Sequence, residues 1–188
     1  MKEIIAVHGW AGDSHQWSNW KKIFKSHEWD WQTYERGYKE ISSHEPKWNN
    51  DTNQLELKRV VICHSLGSHL IDTEILYLAS HIVLINSFSR FAPTGKENRP
   101  IKLALNRMMN AINTPNEAAM LRKFHLKAYK PNHIDVKSIE SNLLHISDLG
   151  RLRLKNDLTL LRNSNSLPIG LNTYSKVLII NSEQDHIL

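Results

Sequence analysis

The chain has one cysteine, Cys63, so no disulfide can close within it, and a reducing, cytoplasmic setting is the expectation. It has no apolar run near the ~20 residues that cross a bilayer, and Met1 is followed at once by Lys2 and Glu3, not by a signal peptide. No membrane association is therefore expected. Lys and Arg exceed Asp and Glu, giving a net charge of +5 and a pI near 9.3, yet they form no basic block. Without a zinc-finger, RNP or helix-turn-helix signature either, the surplus argues for an acidic partner and against nucleic acid. No set of His, Cys or carboxylates has metal-ligand spacing, so neither a metal nor an organic cofactor is expected. What remains is 188 residues with 40% hydrophobic content, enough for one domain with a real core.

The most informative stretch is Val60-Val61-Ile62-Cys63-His64-Ser65-Leu66-Gly67-Ser68-His69-Leu70. Its first part is short, apolar and β-branched, as in a strand buried on both faces of a parallel sheet. Ser65 then falls in a sharp strand-to-helix turn, which lifts a nucleophile above the sheet. The pattern matches the G-x-S-x-G nucleophile elbow of the α/β hydrolases, with Cys63 in place of the first Gly. A small residue is needed there because the turn brings its flanking elements together.

A second element completes the chemistry. Glu3 to Val7 reads as a strand that runs into His8-Gly9-Trp10-Ala11-Gly12-Asp13-Ser14. A strand ending in His-Gly and opening into a Gly-containing loop supplies a backbone donor to a developing oxyanion. The N–H groups of Trp10 and Leu66 are the candidates, and Gly9 allows the close backbone approach.

Between these motifs, Asp13 to Phe24 has helical spacing, with Trp17, Trp20, Ile23 and Phe24 expected on the sheet. Trp29 to Tyr34 alternates like a strand, and Glu35 to Tyr38 ends it in a turn. Lys39 to Glu56 is polar and reads as a loop leading into a short helix, with Glu45 and Asp51 solvated. After the elbow, Ser68 to Leu78 reads as one helix and His81 to Ile85 as the next buried strand. The alternation predicts a doubly wound, mostly parallel sheet. Asn86-Ser87-Phe88-Ser89-Arg90-Phe91 follows at the strand's carboxyl end, where such sheets bind ligands. Ser87, Phe88 and Phe91 are candidates to line an acyl pocket, the alternative being a loop Ser and two core Phe.

From Thr94 to Ser166 only helical periodicity is seen, over Ile101 to Ile112, Pro115 to Tyr129, Val136 to Ile146 and Leu149 to Arg162. Four helices inserted between sheet strands read as a lid. Its cations, Arg107, Arg122, Lys123, Lys127, Arg151, Arg153, Lys155 and Arg162, are candidates to meet an acidic partner, solvation being the alternative. Lys176 to Asn181 returns to buried-strand composition. Asp185 follows it, where the fold places the acid that orients the catalytic His, and is preferred to Glu183 because Ile187 and Leu188 come next. The division expected is 1–90 core, 91–170 helical lid and 171–188 core.

HGWAGDS with a following Trp, the HSLG elbow, NSFSRF, the lid segment GRLRLKNDLTLLR and the late NSEQDHIL together resemble the pimeloyl-acyl-carrier-protein methyl ester esterases of biotin synthesis. The resemblance implies a cytoplasmic serine carboxylesterase that removes a methyl group from a pimeloyl chain on an acidic carrier. It implies Ser65 as nucleophile, Asp185 as triad acid, Trp10 and Leu66 as oxyanion donors, and lid arginines on the carrier. A general carboxylesterase or thioesterase, or a binding module of the same fold, are the alternatives. None of the eleven His is assigned as the triad base: His64 diverges from Ser65 on a tight turn, His8, His69 and His186 have other placements, and the family's His lies some fifty residues further on. The 188-residue chain is accordingly expected to be a shortened form with little activity by itself.

Overall fold

The computed structural model describes residues 1–49, 57–131, 146–185 and 187. The chain divides into two units, the first comprising 1–36, 42–88 and 167–181, the second 37–41, 89–166 and 182–188.

The first unit is a five-stranded parallel sheet. Its strands are β1 (Lys2–Val7), β2 (Asp30–Thr33), β3 (Lys58–His64), β4 (His81–Ile85) and β5 (Lys176–Ile180), in the order β2-β1-β3-β4-β5. All pairings are parallel, the arrangement that strand–helix–strand alternation predicts. Register builds the core in lateral rows: Ile5 lies beside Val61 and Val61 beside Ile82, while Val7, Cys63 and Leu84 form the next row. Because successive side chains alternate faces, these residues pack on one side with Trp48, Ile75 and Leu76. Ile4, Ala6 and Ile62 pack on the other with Trp17, Trp31 and Phe24.

Helical spacing after Asp13 is real but narrower in use than expected. Asp13 caps a 3₁₀ turn over Ser14–Trp17 by accepting the His15 N–H, and α1 (Ser18–Ser26) follows. Trp17 is buried and Phe24 packs on the core, but Trp20 and Ile23 are exposed. Trp20 still packs on Trp17 and Phe24, with ring centroids 5.6 and 6.3 Å away, and forms the outer edge of the stripe. The single helix expected over Ser68 to Leu78 is two, α2 (Gly67–Leu70) and α3 (Thr73–Tyr77). Ile71 is extended, and the Asp72 carboxylate accepts the Glu74 N–H, restarting the helix. Buried-strand composition in β5 is likewise not matched by burial: all five of its residues are exposed. Paired among the described residues to β4 alone, it has the apolar content of a central strand without that position. Glu45 is exposed as expected, whereas Asp51, the short helix before β3 and most of the Val136 to Ile146 helix lie outside the described residues.

The second unit contains α4 (Asn98–Ala111), α5 (Glu117–Ala128) and α6 (Asp148–Asn163). Leu105, Ile112, Leu121, Leu154, Leu158 and Leu161 are buried in it. Segment 37–41 lies directly on α6: a Cβ on Gly150 would stand 1.7 Å from the Tyr38 carbonyl oxygen, so no other residue fits there. Tyr38 Oη donates to buried Asp157 at 2.7 Å. Among the described residues no helix is long and apolar enough to cross a membrane.

Candidate active site

In the sheet order β2-β1-β3-β4-β5 the chain reverses its direction of sheet growth between β1 and β3. Open parallel sheets bind ligands at such a switch point, outside the carboxyl ends of the strands. The two motifs singled out by sequence meet there. The turn after β1 carries Gly9 and Trp10; the turn after β3 carries Ser65 and Leu66.

Their approach is limited by glycine. A Cβ on Gly9 would lie 3.0 Å from Ser65 Cβ and 3.2 Å from the His64 carbonyl oxygen. A Cβ on Gly67 would lie 2.9 Å from the Val7 oxygen and 3.0 Å from the His8 oxygen. Both contacts include backbone, which cannot swing aside as a side chain can. The close approach expected of Gly9 is thus present, and Gly67 serves the same end from the helix side.

Backbone strain marks the same edge. Among the described residues five non-glycine residues have positive φ, and three of them, Ala11 (56°), Ser65 (53°) and Asn86 (45°), lie in the turns after β1, β3 and β4. Such conformations cost on the order of 1–3 kcal/mol and persist only where surrounding contacts enforce them. Here the ladder continues past the strands: Ser65 N–H donates to the Ile85 oxygen at 2.9 Å, and Asn86 N–H to the Ile180 oxygen at 2.8 Å. Ser65 is only partly buried, whereas Leu66 and Trp10 are buried. Cys63, at the elbow's first small position, is fully buried in the core. Burial pushes its thiol well above the ordinary range and leaves it neutral.

Of the pocket candidates, Ser87 turns its hydroxyl back to the sheet, within 3.3 Å of the Cys63 oxygen and 3.4 Å of the Ile85 oxygen. Phe88 stacks on His69 with ring centroids 5.2 Å apart, and the His69 Nε2 lies 2.8 Å from the Phe88 oxygen. Helix α2 and the loop after β4 are thereby tied together behind Ser65. Phe91 and Asp185 belong to the second unit. Phe91 N–H donates to Ser164 Oγ, and the Asp185 carboxylate accepts the Ile187 N–H at 2.7 Å.

The fold has the signature of a known class. Among solved structures the chain is similar to an esterase from Exiguobacterium antarcticum, at TM-score 0.68 and 16% identity, over 100% of this chain and 75% of that one. It is similar to a hydrolase from Oleispira antarctica at TM-score 0.64 and 12% identity, with the same two coverages of 100% and 75%. The fold is that of the α/β hydrolases. A third similar structure is the bottromycin epimerase in complex with bottromycin A2, at TM-score 0.62 and 12% identity, over 97% of this chain and 73% of that one. No protein-family model and no curated protein sequence matches the chain. Identities of this size speak for the α/β-hydrolase fold alone, and that fold hosts more than one chemistry.

Sequence reading places His8 at the end of the oxyanion strand and Glu35 in a turn, without linking them. Both are buried and lie behind the Gly9 turn: His8 Nδ1 is 2.8 Å from the Gly9 oxygen, and the Arg36 N–H donates to His8 Nε2 at 3.1 Å. Glu35 accepts the Ser14 N–H at 2.8 Å and stands 3.6 Å from His8 Nε2. Only the His-Gly dipeptide hinted at this, since its partners arrive from residues more than twenty positions away. Arg151, Arg153 and Arg162 of the lid are engaged within the second unit. Arg151 holds Glu117 and Asp148, which raises its guanidinium further above its ordinary value through the Glu117 hydrogen bond. Arg153 donates to the Gly37 oxygen and Arg162 to Asn106. Arg107, Arg122, Lys123 and Lys127 are exposed. Among the described residues no group of His, Cys, Asp and Glu could hold a metal ion.

Proposed function

We propose that the protein is a serine hydrolase of acyl esters. The observation that carries this reading is Ser65, a non-glycine residue at φ 53° at the carboxyl end of a central strand, with Gly9 from the neighbouring turn pressed against it. A strained serine at a sheet's switch point is the arrangement a nucleophile elbow requires.

In the reaction Ser65 Oγ attacks the ester carbonyl and gives its proton to a general base, a role to which no His of this chain is assigned; Asp185 is the acid the resemblance implies for orienting it. The N–H groups of Trp10 and Leu66 stabilise the oxyanion. The alcohol leaves with the proton, and water then hydrolyses the acyl-enzyme by the same steps. No metal is called for.

The finer substrate is the methyl ester of a pimeloyl chain on an acidic acyl-carrier protein. Support for it comes from the HGWAGDS start and the GRLRLKNDLTLLR segment, and from the exposed Arg107, Arg122, Lys123 and Lys127, which an acidic carrier would meet. Phe88, in the loop after β4, takes the acyl chain in this reading. A non-hydrolytic role is the rival, favoured by the likeness to an epimerase.

Hydrolysis of short p-nitrophenyl esters, with intact-mass detection of a fluorophosphonate adduct, separates the two. Slow but measurable ester turnover and a fluorophosphonate adduct, both abolished in Ser65→Ala, are expected of this chain. Equal behaviour of parent and Ser65→Ala overturns the hydrolase reading and favours the binding or epimerising one. Faster turnover of the carrier-bound methyl ester than of free methyl esters, reduced by Arg122→Glu, is the outcome expected for the finer assignment.

A further inference from the structure

We propose that His8 is a positioning residue that aims the Trp10 N–H into the oxyanion site; the inference rests on the serine-hydrolase reading of that site. Its starting point is a proton count. The Gly9 carbonyl can only accept, so the 2.8 Å contact from His8 Nδ1 requires the proton on Nδ1. Arg36 N–H donates to Nε2 at 3.1 Å, so Nε2 carries no proton. Backbone groups on both sides thus hold the ring in one tautomer, with the Glu35 carboxylate 3.6 Å from Nε2.

The consequence lies one bond further along. Gly9–Trp10 is a trans peptide, the cis bond among the described residues being Lys130–Pro131. In a trans peptide the carbonyl and the next N–H point in opposite directions. Whatever fixes the Gly9 oxygen thus fixes the direction of the Trp10 N–H. Gly12 N–H already closes the turn onto that oxygen at 3.2 Å. A second donor is not needed to make the turn; what it adds is a fixed peptide plane. Oxyanion donors act only when aimed before the charge develops, and His8, fully buried, supplies that aim from behind.

His8→Asn places an amide N–H close to where Nδ1 stands and keeps the bond to Gly9. His8→Gln carries its amide out to the position of Nε2 and loses it. With p-nitrophenyl acetate, His8→Gln is expected to lower kcat about 10–100-fold with KM within about twofold, less than the 10²–10³ of deleting a donor. His8→Asn is expected to stay within about threefold of the parent. The ring-nitrogen NMR shifts of the intact parent are expected to show the proton on Nδ1, a readout that does not depend on either variant folding. A proton on Nε2, equal kcat loss in both variants, or loss in neither overturns the positioning role while leaving the hydrolase reading in place. A parent chain without Ser65-dependent turnover overturns both.

Discussion

Strands β3 and β5 are built from nearly the same material and live in opposite surroundings. In β3, Val61, Ile62 and Cys63 are at most 2% exposed; in β5, Val177, Leu178, Ile179 and Ile180 are 43–60% exposed. One lies between β1 and β4; the other, among the described residues, pairs with β4 alone. An apolar β-branched run specifies an extended chain, and the neighbours it acquires decide whether its side chains leave water. The difference bears on chemistry. A left-handed serine costs free energy, and the turn at Ser65 is sustained because the strand leading into it is packed on both faces and its amide is held by Ile85.

The widest separation between the two strands is expected from truncation to alanine. Ile62→Ala removes buried atoms from the cluster around Trp17 and Trp31 and is expected to cost about 2–5 kcal/mol. Ile179→Ala, at a residue 60% exposed, is expected to cost under about 1 kcal/mol. Urea unfolding of both variants measures the contrast. Equal losses would mean that β5 is covered in solution, and the comparison would fail.

A smaller effect distinguishes β3 by pH. Its Cys63 thiol stays protonated in the folded state because burial pushes its ionisation far up, whereas the unfolded chain releases the proton near the ordinary value of about 8.5. The folded state then binds more protons, so stability falls as pH rises above that value and is unaffected below it. Between pH 8.5 and 10 the parent is expected to lose roughly 1–2 kcal/mol more than Cys63→Ala. The same burial predicts a thiol that maleimide labels only after unfolding.

The comparison also shows what could be read in advance. The five strands, the parallel sheet and the two reactive turns were legible because each depends on a local signal: a short apolar run, a His-Gly, an S-x-G. What was not legible depends on contacts distant in sequence. Trp20 and Ile23 share the helical spacing of Trp17 and Phe24, yet Trp20 only edges the stripe and Ile23 faces water, a depth of packing that spacing does not announce. Asp72 breaks a helix by capping its own successor, a signal present in the sequence but outweighed by the apolar residues around it. His8 gains its meaning from Arg36, and Arg151 from Glu117, pairings that no spacing announces. The exposure of β5 belongs to the same class, since composition carries no record of sheet position.

The smallest expected change sharpens the comparison from the open side. Leu178→Lys places a charge in the middle of the exposed strand, where its stem can lie along Ile180 on the same face and its ammonium can reach water. Stability is expected to move by less than about 0.5 kcal/mol, while binding of an apolar dye such as ANS and self-association at high concentration both decrease, because an inserted lysine blunts an edge strand. A thermal shift as large as that of Ile62→Ala would have the opposite meaning: Leu178 would then be desolvated in the working protein, and the run Val177 to Ile180 would be a buried strand after all, as its composition suggests.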